Sequence, residues 1–158
     1  MKIIAAVDAL TRGIGFKGEL LCRIPEDMAM FRRLTMGKTV VMGHNTLKSL
    51  PNSAPLSGRN NIVLSRDRNL SIPAATVIHN FDDAPRGDDV FVIGGQSIYE
   101  LFLDFCDTAY ITNVRFPQKT NADAFFPKLD ENWLLMEISE TRYFGEISYE
   151  FQRFERRN

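Results

Sequence analysis

Val90-Phe91-Val92-Ile93-Gly94-Gly95-Gln96-Ser97 decides the fold. Four consecutive apolar residues without alternation are what a strand covered on both faces requires. The two glycines end it, and Ile98, Leu101, Phe102 and Phe105 then recur at helical spacing, which predicts a helix over residues 97–105. The same strand signature stands at residues 3–7, 39–42 and 61–64, with helical patterns over residues 25–34 and 44–50 between them. Strands alternating with helices imply a mostly parallel sheet. Beyond Cys106 three strand patterns, residues 108–114, 137–143 and 147–154, follow with no helix between them, which predicts an antiparallel edge. The expected fold class is α/β, with a central, mixed but mostly parallel sheet of about eight strands, an antiparallel C-terminal edge and about four flanking helices. Residues 51–58 and the glycine-bearing residues 11–22 are expected as surface loops, the second as a lid.

Composition narrows the function classes. The 158 residues carry 19 Lys and Arg against 20 Asp and Glu, a net charge of -1, with 44% hydrophobic residues. A length of that order suits one domain with an ordinary core, so residues 1–158 are expected to form a single domain. Near-zero charge argues against nucleic acid as a partner, because affinity there comes largely from Lys and Arg displacing counterions at phosphates. The five apolar residues Ile3 to Val7 before Asp8 are too few for a signal-peptide core or a membrane span. The two cysteines, Cys22 and Cys106, show no metal-ligand spacing, and free thiols fit a reducing, cytoplasmic setting. His44 and His79 are isolated in sequence, so no metal site is expected.

Asp27 is the sharpest chemical signal. On a helix entered at Pro25 it shares a face with Phe31 and Leu34, with Met28 beside it, so a carboxylate points toward the core. An acid in a first turn also complements the helix dipole, and local sequence leaves both readings open. Gly94-Gly95-Gln96-Ser97 and Gly43-His44-Asn45-Thr46 each join a strand to a helix, where backbone N–H groups can meet an anion. Ser65-Arg66 follows a third strand and suits a phosphate monoester. Ends of parallel strands gathered along one sheet edge are where such folds bind nucleotides. Arg59, beside Gly58, can present a bidentate fork to a carboxylate.

In order and spacing these residues resemble the bacterial-type dihydrofolate reductases. The resemblance is carried by Ile4-Ala5-Ala6, Ile14-Gly15, Ile24-Pro25-Glu26-Asp27-Met28 with Phe31 and Thr35, Val41-Met42-Gly43 with Thr46, Gly58-Arg59-Asn60-Asn61, Leu64-Ser65-Arg66, Val92-Ile93-Gly94-Gly95 with Tyr99, and Asp123 with Phe126-Pro127. It implies hydride transfer from NADPH to C6 of dihydrofolate, with N5 taking a proton. It implies catalytic roles for Asp27, Thr112, Leu20 and Tyr99. The substrate is expected on Ile4, Ala5, Ala6, Met28, Phe31, Leu50, Leu56, Ile93 and Thr112, with Arg59 clamping its glutamate carboxylate. The cofactor is expected along Ala6, Ile14 and Gly15, then Gly43, His44, Asn45 and Thr46, then Leu64, Ser65 and Arg66, and finally Ile93 through Tyr99, that is Gly94, Gly95, Gln96, Ser97 and Ile98 between them. Diaminopyrimidine and pteridine antifolates are expected as competitive inhibitors, and a monomer is the simplest assembly.

The chain departs from the pattern twice. Leu21-Cys22 stands where the family usually has Pro-Trp, and His44 where an arginine is common, so Arg66 is expected to carry most of the 2′-phosphate preference. Two other readings share the fold: a riboflavin-pathway pyrimidine reductase, which lacks the combination of Asp27, Phe31 and Arg59, and a catalytically impaired folate-binding protein.

Overall fold

The computed structural model of the chain describes residues 1–157. Its large sheet is built on β1 (Lys2–Asp8), β4 (Thr39–Gly43), β5 (Asn60–Leu64), β6 (Ala75–Ile78), β7 (Val90–Gly94), β8 (Thr108–Arg115), β10 (Trp133–Ile138), β11 (Arg142–Phe144) and β12 (Ile147–Arg156). The strand order is β10-β12-β8-β1-β7-β4-β5-β6, with β11 also paired to β12. The six strands from β8 to β6 run parallel. β12 pairs antiparallel with β8, β10 and β11, and so makes the expected C-terminal edge.

Alternation along the central strands explains why they are apolar throughout. Val41 and Val92 project to one side, into a cluster with Ile98, Tyr99 and Phe102 of α3 (Gln96–Phe102). Val40, Met42, Phe91 and Ile93 project to the other, against Phe31 and Leu34 of α1 (Pro25–Thr35) and Leu47 of α2 (His44–Ser49). The sheet is thus sandwiched between helices, and both faces of β4 and β7 are closed to water. Three single-turn 310 segments, Pro51–Ser53, Phe81–Asp83 and Leu103–Phe105, accompany the three α-helices. Among the described residues no helix is long and apolar enough to cross a membrane.

Four local expectations need correction. Residues 11–22 are not an unstructured loop: β2 (Gly13–Phe16), β3 (Glu19–Leu20) and β9 (Ala124–Phe125) form a small antiparallel sheet. Its glycines hide the alternation that marks a strand. Residues 137–143 are not one strand either. Ser139 leaves the ladder, its hydroxyl accepting the Phe151 N–H at 2.9 Å, and the chain divides into β10 and β11. β6 escaped notice because it is four residues long and sits at the sheet's edge. The last helix begins one residue early and tightens into the 310 turn after Phe102.

Candidate active site

The order of the strands creates the crevice. From β1 the chain crosses to β4, moves outward through β5 and β6, and returns to insert β7 between β1 and β4. The C-terminal ends of β1, β7, β4 and β5 therefore open together, and a cavity of about 940 Å³ lies across them. It is lined by Ala5 and Ala6, by Gly43 to Thr46, by Leu64 to Arg66, by Ile93 to Tyr99, and by Ile14 and Gly15 of the lid sheet. Every residue expected to hold the cofactor is on that wall. Of the expected substrate residues, Ala5, Ala6 and Ile93 share it. Ile4, Phe31, Leu50 and Leu56 instead pack, half-buried, on the side of the sheet held by α1 and α2.

Asp27 connects that side to β8. It is half-buried in the first turn of α1, and the Thr112 hydroxyl donates to its Oδ1 at 2.5 Å. Burial pushes the Asp27 carboxyl above the usual carboxylate range, and the Thr112 hydrogen bond holds part of that rise back. The same carboxylate acts on its neighbours. Burial together with the Asp27 charge pushes the Cys22 thiol up to about 11, so at neutral pH it is protonated and a poor nucleophile.

Tyr99 is buried and donates its hydroxyl hydrogen to the Ile4 carbonyl at 2.8 Å. Burial, with Asp27 adding to it, raises its pKa above the ordinary tyrosine value, so the phenol stays neutral. The bond ties α3 to β1 at Ile4, in the middle of the strand. Gly94 has φ +117, and a Cβ there would meet the Tyr99 hydroxyl at 3.1 Å. Both the backbone angle and the ring beneath it demand glycine.

Arg59 reaches Thr35, Nη1 donating to Oγ1 at 3.4 Å, while its buried Nε has no protein partner. Burial and the neighbouring Arg32 guanidinium lower its pKa. Two cations with an unused donor between elements that carry Phe31 and Leu56 suit an anionic group. Asn61, 2% exposed, shapes this corner: its amide exchanges two 2.9 Å hydrogen bonds with the Leu56 backbone and donates to the Arg59 carbonyl at 3.0 Å.

The lid is fastened by Asp123. Its carboxylate accepts the Lys17 N–H at 3.0 Å, and its own N–H donates to the Gly15 carbonyl at 3.0 Å. The Gln96 side chain accepts the Phe125 N–H at 2.9 Å, tying the lid sheet to α3. Buried Asp8 anchors the other end by accepting from Leu10 N, Thr11 and Thr120. Leu20 lies 45% exposed at the cavity mouth, and Leu21 and Cys22 border a void of about 10 Å³, the size of one water. Asp123 and Gln96 were named from sequence without this role. His79, Phe81, Ser49 and Glu100 also line the cavity and were missed, since nothing local marks them.

The cavity's size, its glycine-bearing strand ends and its hydroxyl, imidazole and guanidinium donors fit a phosphorylated dinucleotide. A dinucleotide cleft at the carboxyl ends of a parallel sheet, with a half-buried carboxylate where α1 meets β8, defines an α/β oxidoreductase. The chain matches the model of the dihydrofolate reductase family over residues 1–156. It is 41% identical over 122 residues to the dihydrofolate reductase of Mycobacterium tuberculosis (strain ATCC 25618 / H37Rv), covering 76% of each chain. It is 36% identical over 135 residues to that of Staphylococcus aureus (strain Mu50 / ATCC 700699), covering 84% of this chain and 82% of that one. The chain belongs to the dihydrofolate reductase family.

Proposed function

We propose that this chain reduces 7,8-dihydrofolate to 5,6,7,8-tetrahydrofolate with Asp27 as the carboxylate that recognises the pterin. NADPH, when bound, supplies the hydride that goes to C6 of the substrate, while N5 takes a proton from water. Asp27 holds the 2-amino and N3 edge of the ring, and Thr112 fixes the carboxylate's orientation. Met28, Phe31, Leu50 and Leu56 wall the rings, with Ile4 and Ala5 beneath, and Arg59 takes the glutamate carboxylate. Ala6, Ile14 and Ile93 orient the nicotinamide, with Tyr99 tying α3 to β1 at Ile4. The backbones at Gly43–Thr46 and Gly94–Ser97 receive the pyrophosphate, and Ser65 and Arg66 the 2′-phosphate. The lid, with Leu20 at its tip, excludes water from the reacting carbons.

The observation that carries this reading is the Thr112–Asp27 hydrogen bond, which holds a half-buried carboxylate between α1 and β8. It also disfavours a pyrimidine reductase of the same fold, which has no use for that pair and Arg59 together. Antifolates of the diaminopyrimidine class compete at the same place, because their protonated ring complements an ionised carboxylate. The reading further includes a monomer of one domain acting in the cytoplasm. Loss of NADPH absorbance on adding dihydrofolate, run beside NADH, tests the reaction. Turnover that prefers NADPH and collapses in Asp27→Asn is expected. Substrate binding without turnover in the unaltered chain would instead mark an impaired binding protein.

A further inference from the structure

Glu26 and Asp27 are neighbours in the first turn of α1, and their carboxylates are held by different strands. Asp27 is held by Thr112 of β8, whereas Glu26 Oε1 accepts from Arg142 Nη1 of β11 at 2.7 Å and from the Tyr149 hydroxyl of β12 at 3.4 Å. The partners of Glu26 stand 116 and 123 residues away along the chain. We propose that Arg142 is a positioning residue for the reaction: acting through Glu26, it fixes the first turn of α1 against the sheet and offsets the Glu26 charge beside Asp27. The inference rests on the reading above that Asp27 recognises the pterin.

The ladders bring these groups together. Arg142 is in register with Tyr149, Tyr149 with Val114, and Phe151 with Thr112, so the residues that grip Glu26 and Asp27 share one face of three adjoining strands. The Arg142 guanidinium also lies over the Phe151 ring at 5.5 Å, and that ring meets Tyr149 edge-on at 5.6 Å. Tyr149 is buried, so guanidinium and phenol present a fixed pair of donors to Glu26. Among the described residues no side chain caps α1 at Ile24, and these contacts to its two acids tie the first turn to the sheet.

Charge gives the pairing a second effect. An uncompensated carboxylate beside Asp27 disfavours its ionised form, and a guanidinium on that carboxylate offsets the effect. The other titratable groups near Asp27 are Cys22 ahead of α1, Tyr99 of α3 and Tyr149 of β12, each raised in pKa first by burial and so neutral at pH 7. Arg23 is engaged by Glu19 at 3.5 Å, and Glu140 stands 3.9 Å from Arg142 Nη2. Loss of Arg142 therefore adds to the rise that burial already gives Asp27. The Arg142 and Glu26 side chains are 38% and 44% exposed, so solvent screens the pair, and the effect on Asp27 is modest in size but definite in sign.

The test compares Arg142→Gln, Glu26→Gln and the double variant with the unaltered full chain. Carboxyl NMR of the ligand-free protein labelled at aspartate follows the Asp27 titration, its signal identified by its absence from Asp27→Asn. In Arg142→Gln the titration is expected about half a pH unit higher. In Glu26→Gln it should move lower, and in the double variant, where both charges are gone, it should return near its original place. Steady-state kinetics at neutral pH should show KM for dihydrofolate raised severalfold in Arg142→Gln, with KM for NADPH unchanged. A titration that stays put in Arg142→Gln, or stays displaced in the double variant, overturns the proposal. So does a KM for dihydrofolate that fails to rise, or rises no more than that for NADPH. Should Arg142→Gln fail to fold, Glu26→Gln decides alone, and an unmoved or raised titration there overturns the proposal. Asp27→Asn separates the two levels. If it turns dihydrofolate over like the unaltered chain, the reading of Asp27 falls and this inference with it. If its turnover collapses while the Arg142→Gln comparison is flat, only the role of Arg142 falls.

Discussion

Thr112 and Asp27 lie 85 residues apart in sequence and meet at 2.5 Å, hydroxyl to carboxylate, where α1 packs against β8. Burial raises the Asp27 pKa and this bond restrains the rise, so removing the hydroxyl has a signed consequence. In Thr112→Val the carboxyl should protonate at higher pH. If the protonated diaminopyrimidine pairs with ionised Asp27, as proposed, the pH below which its affinity weakens should move upward. Binding titrations from about pH 5 to 8 would show this. An unchanged profile would contradict the assigned pairing.

With the role proposed for it, Asp27 is a site where function costs stability. Its folded-state pKa lies above the unfolded value, so the folded form binds protons more readily. The stability contribution is favourable at low pH and lost as pH rises from the unfolded pKa through the folded one. At neutral pH the ionised, buried group is therefore a burden. Asp27→Asn should raise the melting temperature at pH 7 by a few degrees while lowering kcat about 10²- to 10⁴-fold. Thermal melts beside steady-state kinetics measure both.

Asp123 holds the lid through two hydrogen bonds, one of them made by its side chain to Lys17. Asp123→Ala removes that acceptor at an exposed position. A net hydrogen bond of about 1 kcal/mol corresponds to a severalfold effect, expected in NADPH affinity and kcat more than in thermal stability. Fluorescence titration with the cofactor, set beside melting curves, distinguishes lid loss from general destabilisation.

Asn61 is buried and satisfies three backbone groups of residues 56–59. Asn61→Ala leaves them without partners, a penalty of about 1–3 kcal/mol. Because Leu56 and Arg59 stand in that segment, KM for dihydrofolate should rise while KM for NADPH stays close to its original value. Equal changes in both would show the residue to be merely structural.

Cys22 occupies a half-buried place beside Asp27 and a water-sized void. Its raised pKa predicts slow alkylation at pH 7 that accelerates toward pH 9, and bound substrate should slow it further. Cys22→Trp restores the indole that the family usually carries at this position and should improve kcat/KM for dihydrofolate. Poorer kinetics would show that the small thiol is matched to this site.

The pyrimidine reductase reading and the folate reductase reading share most of their sequence signals, because strand ends and glycines report the nucleotide and not the substrate. The strands that sequence made plain, β1, β4, β5 and β7, are those covered on both faces, where burial forces unbroken apolar runs. β2, β3, β6 and β9 are short, glycine-bearing or at an edge, and leave no such trace.

What the sequence determined by itself is the α/β class and the residues that stand just past each strand, since local periodicity and glycine placement are properties of neighbours in the chain. It also supplied Asp27, as a carboxylate on an apolar face. What the tertiary structure decided is everything that depends on distance across the chain: Thr112 against Asp27, Asp123 against Lys17, His79 against Ser65, and the shift in acidity that burial gives Asp27 and Cys22. These pairings come from the crossover that inserts β7 between β1 and β4 and from the ladders that fix register. A hydrogen bond or a desolvated charge exists only once distant segments are held together, and no window along the sequence contains both partners.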